Sequence, residues 1–238
     1  MNQIITQHGW GFDSQIWCES KNQFNKNGWL WQDNERGYFN KRSKSSKWFK
    51  ENSNQNIRMA ICHSLGTHLI GSDTLLEATH AVLINTFFNF IPKNPQSKKL
   101  TIKALNRMRK KIQNDGCQTM IEEFIRKSYS PNCLDFTFNN LLNINLNLIN
   151  RSVLLNDFDK LFITYKPKKL FSDNINLLIL KSEKDMILQK EASNDFIKML
   201  TQNEISKIKI IELEHQGHIT TKIELYEIVQ NWLNELHE

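Results

Sequence analysis

No stretch of about eighteen uncharged apolar residues occurs in the chain, so no segment is built to cross a bilayer as a helix. The first residues, Met1 to His8, lack the basic flank and long apolar core of a secretory signal. These absences predict a cytoplasmic protein without membrane attachment. Cysteine is sparse, and Cys18, Cys62, Cys117 and Cys133 form neither a C-x-x-C pair nor a regular framework, which predicts reduced thiols and no zinc site. His63, His68 and His80 have no spacing suited to ligating a metal. A glycine-rich phosphate loop is missing too, and no cofactor is expected. What remains is 238 residues, 39% of them apolar, enough for one globular domain or one domain with a large insertion. The formal charge of +6 fits nucleic acid, an acidic membrane or an acidic protein as partner, so its location has to decide.

Short apolar, β-branched runs of strand length recur at Gln3 to Gln7, Trp29 to Gln32, Ile57 to Cys62, Ala81 to Phe88, Ile175 to Leu180 and Ile208 to Leu213. Helical periodicity follows the third, fifth and sixth runs, at Leu65 to Leu76, Leu188 to Leu200 and Ile223 to Leu236. Strands alternating with helices predict an α/β fold, a mostly parallel sheet covered by helices on both faces. One gap breaks the rhythm: residues 89–173 are too many for a simple crossover and read as an inserted helical segment, leaving 1–88 and 174–238 as the core. Its clearest helix runs from Ser97 to Gln113, with Ile102, Leu105, Met108 and Ile112 on one stripe and Gly116 as the expected stop. The run Asn139 to Asn150 borders on low complexity.

The segment Ile57 to Ile70 carries the sharpest chemical signal. A strand ends at Cys62, Ser64 falls at a tight bend, and an apolar helix begins at once. A serine hydroxyl becomes a useful nucleophile only when a base removes its proton, and a strained strand-to-helix turn holds the oxygen clear for that purpose. Such a turn needs small residues two before and two after the serine. Gly66 meets the need, whereas Cys62 replaces the usual leading glycine, so a slightly opened turn is expected. The competing reading is that Ser64 simply caps the following helix.

The segment Ile4 to Gly11 is a strand running into a His8-Gly9-Trp10-Gly11 turn. Backbone N–H groups in such a turn can hold the oxyanion of acyl transfer, and the candidates are those of Trp10 and Leu65. A structural glycine-rich turn is the alternative. Two further loops leave the ends of later strands: Lys181 to Ile187 presents Asp185, and Glu214 to Ile219 presents His218, with Glu183 and His215 as near competitors. Serine, acid and histidine thus follow one another in the order of a nucleophile, its orienting carboxylate and its base.

Taken together, these residues resemble the α/β-hydrolases, and the likeness spans nearly the whole chain. His8-Gly9-Trp10-Gly11 with Trp17 downstream, His63-Ser64-Leu65-Gly66, Asp185 and Gly217-His218 resemble in particular the pimeloyl-[acyl-carrier protein] methyl ester esterases of biotin synthesis. The resemblance implies a helical cap at 89–173, Ser64 as nucleophile, His218 in preference to His215 as base, and Asp185 in preference to Glu183 as its partner. It also implies an acidic acyl carrier protein as partner. Few residues precede the first strand, so the family's leading hairpin is expected to be short or absent, with an early strand left as an exposed edge.

Charge is concentrated in the insertion. Between Lys93 and Lys127 ten basic residues stand against Asp115, Glu122 and Glu123, a net +7 that exceeds the +6 of the entire chain. Lys99, Lys103, Arg107, Lys110 and Lys111 form the expected docking surface for the carrier protein. A solvated helix face that aids solubility explains the same charge, while nucleic acid lacks any accompanying motif. Trp10, Phe12, Trp17, Phe87, Phe88, Phe90 and Phe124 either line an acyl tunnel or belong to ordinary core. The expectation is therefore a serine carboxylesterase with a carrier-bound methyl ester as substrate. A general esterase of the same fold and a catalytically silent binding protein are its rivals.

Overall fold

The computed structural model describes residues 1–49, 56–131, 146–165, 170–202, 207–220 and 225–236. Cys133, residues 139–145 of the asparagine-rich stretch and residues 223–224 of the last expected helix lie outside them. Strands β1 (Gln3–Gln7), β2 (Leu30–Asn34), β3 (Arg58–His63), β4 (His80–Ile84), β5 (Asn176–Ser182) and β6 (Lys207–Leu213) form one sheet in the order β2-β1-β3-β4-β5-β6. Every neighbouring pair is parallel, and β2 is an edge strand. The helices are α1 (Cys18–Lys26), α2 (Gly66–Leu69), α3 (Ser72–Leu76), α4 (Pro95–Gln113), α5 (Cys117–Tyr129), α6 (Arg151–Phe158), α7 (Lys190–Gln202) and α8 (Leu225–Glu235). None of the described helices is long and apolar enough to cross a membrane. Cys18, Cys62 and Cys117 are free thiols.

Period-two alternation explains why the strands read as unbroken apolar runs. Ile4, Met59, Val82 and Leu178 pack with Phe24 of α1 and Val229 and Trp232 of α8 on one face. Their immediate neighbours Ile5, Ala60, Leu83 and Leu177 pack with Leu75 of α3 and Phe196 of α7 on the other. Each large side chain buried in this way contributes about 1.5–3 kcal/mol. The chain leaves β1 toward β2 on one side, then returns to add β3 on the other. Loops after β1 and β3 therefore diverge from a switch point at the carboxyl ends of the strands, where such sheets place their crevice.

Three local expectations are corrected. The fourth strand stops at Ile84 rather than Phe88, because Asn85 takes a left-handed backbone with φ 47°. The single helix expected over Leu65 to Leu76 is two short ones, since Ile70 is extended and Gly71 starts a new turn. Gly116 does not end α4, which is capped at Asn114; it is instead the N-cap of α5.

Helices α4, α5 and α6 lie between β4 and β5 in sequence and form the insertion. Leu105, Ile112, Ile121, Leu154 and Phe158 pack with Trp10, Phe12 and Leu65 from the loops of the sheet. Polar bonds fasten it as well. Fully buried Asp157 on α6 accepts from Arg36 Nε at 2.7 Å, from a terminal guanidinium nitrogen of Arg36 at 2.8 Å and from the Tyr38 hydroxyl at 2.8 Å. Trp10 Nε1 donates to the Leu154 carbonyl at 2.8 Å.

Candidate active site

Ser64 sits between β3 and α2 with φ 53°, a left-handed conformation that a non-glycine residue adopts only under constraint. The constraint is visible. Its N–H donates to the Ile84 carbonyl at 2.9 Å, and Gly66 packs so tightly that an added Cβ would lie 2.4 Å from the Gln7 carbonyl oxygen. Cys62 keeps the turn intact from within the sheet, paired with Gln7 and Leu83 and fully buried. Burial pushes its thiol up to about 12, so it is inert despite a hydrogen bond with Thr67 that opposes the shift. Ser64 is not a helix cap, because that position belongs to Leu65.

The turn after β1 closes on the same point. A Cβ on Gly9 would meet His63 Nδ1 at 2.8 Å and Ser64 Cβ at 3.0 Å, so only glycine lets the two turns come this close. Trp10, Ser64 and Leu65 all line one cavity of about 500 Å³, and neither the Trp10 nor the Leu65 backbone N–H is used in a bond to another described residue.

His218 is buried, and its Nδ1 lies 2.7 Å from Asp185 Oδ2. Burial would raise the carboxyl of Asp185, but the charge and hydrogen bond of His218 and the amides of Leu188 and Ile187 outweigh it, so the group stays below its usual range. An ionised carboxylate only accepts, so Nδ1 carries a proton, and in the neutral imidazole Nε2 is then the nitrogen with the lone pair. That Nε2 is buried with no hydrogen-bond partner among the described residues. The competitors lie elsewhere: the side chain of His215 is 83% exposed, and Glu183 is occupied by Lys184 at 2.9 Å and by the His215 N–H at 3.0 Å.

Two residues that sequence reasoning left without a role hold the His218 loop. His63 Nε2 donates to the His218 carbonyl at 2.9 Å, and Asn85 Nδ2 donates to the same oxygen at 2.8 Å. Asn85 also donates to Ser182 Oγ and accepts from the Ser182 N–H, both at 2.8 Å, tying the end of β5, just before the Asp185 loop, to the histidine. Burial, followed by the nearby His218, lowers His63 to about 3, so it is neutral and acts purely as a donor. The available signal was an asparagine directly after an apolar strand, a residue type that tolerates left-handed backbone.

Of the aromatic candidates, Trp10, Phe90 and Phe124 line the cavity, whereas Phe12, Trp17, Phe87 and Phe88 are buried core. The five docking candidates all lie on α4 and are exposed. Arg107 and Lys111 line the cavity, Lys111 paired with Glu123 at 3.1 Å, while Lys99, Lys103 and Lys110 do not reach it.

The sequence matches no family model and no curated protein. Its structure is similar to an esterase from Exiguobacterium antarcticum, with a TM-score of 0.71 and 11% identity over 100% of this chain and 92% of that one. A bromoperoxidase from Bacillus anthracis gives 0.69 and 14%, covering 100% of this chain and 92% of the other. MenH from S. aureus gives 0.63 and 11%, covering 100% and 95%. With the parallel sheet and the helical insertion, these similarities establish that the chain has the α/β-hydrolase fold.

Proposed function

We propose that the protein is a serine carboxylesterase. Ser64 attacks the ester carbonyl while His218 takes its proton at Nε2, and Asp185 holds the imidazole and stabilises the imidazolium that forms. The N–H groups of Trp10 and Leu65 hold the oxyanion, each contributing about 3 kcal/mol to the rate. The tetrahedral intermediate collapses to an acyl-serine as His218 passes the proton to the leaving alcohol. Water then enters and adds to the acyl carbonyl as its proton passes to the same histidine, and the acid departs as His218 returns that proton to the Ser64 oxygen. The observation that carries this reading is His218, bonded through Nδ1 to a carboxylate at 2.7 Å while its buried Nε2 has no partner among the described residues. Esterases among the similar structures, from Exiguobacterium antarcticum and Thermogutta terrifontis, agree with it.

For the substrate we propose the methyl ester of a carrier-bound acyl chain, as the likeness to pimeloyl-[acyl-carrier protein] methyl ester esterases suggests. The acidic carrier docks on Lys99, Lys103, Arg107, Lys110 and Lys111. A serine-directed fluorophosphonate tests the chemistry: it should label the intact protein and spare Ser64→Ala, and labelling of neither would favour a silent binder. Replacing Lys103 and Arg107 by Glu should weaken action on carrier-bound ester more than on small neutral esters. Equal loss on both would count against docking. Indifference of the intact enzyme to carrier would favour the general esterase, the reading closest to the similar structures.

A further inference from the structure

The turn that carries Trp10 is held from behind. His8 is fully buried, and its Nδ1 lies 2.9 Å from the Gly9 carbonyl oxygen. A carbonyl only accepts, so Nδ1 carries a proton and donates it. The far nitrogen, Nε2, is fixed by the chain after β2: the Arg36 N–H reaches it at 3.1 Å, and Glu35 Oε1 lies 3.3 Å away. Burial would raise the Glu35 carboxyl, but His8 and the amides of Gly37 and Ser14 bring it down to about 2, so it is a carboxylate. A neutral His8 accepts from Arg36 and a charged one donates to Glu35, and in both states the Nδ1–H stays on the Gly9 carbonyl. The clamp continues into the insertion. The guanidinium of Arg36 forks onto buried Asp157 of α6 at 2.7 and 2.8 Å, and the Leu154 carbonyl of the same helix accepts the Trp10 indole N–H at 2.8 Å. Helix α6 thus reaches the Gly9–Trp10 peptide twice, at its carbonyl through Arg36 and His8, and at the residue that bears its N–H directly.

That peptide is where an oxyanion site here is most easily lost. Contact with His63 and Ser64 admits only glycine at position 9, and glycine leaves the peptide that follows it freer to rotate. A rotated peptide would turn the Trp10 N–H away from the cavity. In a planar trans peptide the C=O and N–H point in opposite directions, so fixing the carbonyl fixes the donor. A carbonyl that accepts a hydrogen bond also polarises its own peptide, which strengthens the bond made by the N–H. We infer that α6 of the insertion positions the oxyanion donor, with His8 and Arg36 as the positioning residues through which it acts. This rests on the esterase reading of Ser64 and Trp10, and adds to it two residues that do not line the cavity.

Substitutions at positions 8 and 36 test it on a small neutral aryl ester. His8→Leu removes both ring nitrogens and should lower kcat about ten- to a hundredfold with KM little altered, a part of what losing one whole oxyanion donor costs. His8→Asn, whose amide can take the place of the Nδ1–H, should recover most of that loss. Arg36→Lys keeps the charge beside Asp157 but not the fork, and should lower kcat about three- to tenfold. An unchanged kcat in His8→Leu, or asparagine no better than leucine, overturns the role of His8. An Arg36→Lys effect confined to thermal stability removes α6 from the account. The Trp10 amide signal in ¹⁵N-resolved NMR spectra reads the same hold without turnover. It should be single and sharp in the intact protein and in His8→Asn, and doubled or exchange-broadened in His8→Leu as the peptide samples a second orientation. That pattern in a protein that hydrolyses no ester would sink the esterase reading while upholding the hold on the peptide. A single sharp signal in all three proteins rejects the inference even where the enzyme is active.

Discussion

The sheet side and the inserted cap solve different problems with different materials. On the sheet side, groups are fixed by backbone: a left-handed Ser64, glycines 9 and 66 that admit no Cβ, and a carbonyl of His218 clamped by two donors. On the cap, charge sits on long side chains of α4 and α5, several of them exposed. Reaction geometry tolerates displacements well below an ångström, whereas recognition of a charge does not require such precision. Substitutions on the sheet side should therefore appear in kcat, and those on the cap in KM or stability.

The sharpest way to break that division is Asp185→Asn, which keeps the shape but not the charge beside His218. We expect kcat to fall by about three to four orders of magnitude with KM little altered, as steady-state kinetics on an aryl ester would reveal. A large rise in KM instead would blur the contrast. Next comes Asn85→Gly, which suits the φ of 47° and so removes the clamp without straining the turn. Its kcat should drop about ten- to a hundredfold and its rate of fluorophosphonate labelling should fall in parallel, with KM little altered. A loss confined to thermal stability would make Asn85 merely structural.

On the other side of the divide, Asp157→Ala leaves Arg36 and Tyr38 facing an emptied buried site and should destabilise the protein by about 3–5 kcal/mol in denaturant titrations. The last prediction concerns pH. Burial holds His63 at about 3 and His68 at about 4, below the ordinary 6.5 of the unfolded chain. Between those limits the unfolded state binds more protons, so stability is full above pH 6.5 and declines as pH falls toward 3. His63→Gln, which retains a donor, should flatten that decline, and an unchanged slope would remove His63 from the account.

Much of the sheet side was legible because its signals are local. β1 begins and ends where its apolar run does, and Ser64, Asp185 and His218 all lie within the loop that follows a strand. Asn85 was not legible, since it fell inside the apolar run from Ala81 to Phe88 and its role depends on a hydroxyl and a carbonyl more than ninety residues away. The cap resisted for another reason. Helix α4 shows its stripe, but whether Arg107 or Lys103 faces the cavity depends on which neighbour covers the helix, and Gly116 opens a helix where periodicity alone suggested an end.

One contact joins the two halves at their most sensitive point. Gly217, next to the histidine, lies against the end of α5 so closely that a Cβ would be 2.1 Å from the Ser130 carbonyl oxygen, and the Ile219 N–H donates to Ser128 at 2.9 Å. The loop bearing His218, the proposed proton acceptor, is thus stitched on both flanks to the segment that differs most from a bare sheet-and-helix scaffold. An engineer exchanging this insertion for another would be re-tailoring the seat of His218 as well, and would do best to place the seams beyond Ser130.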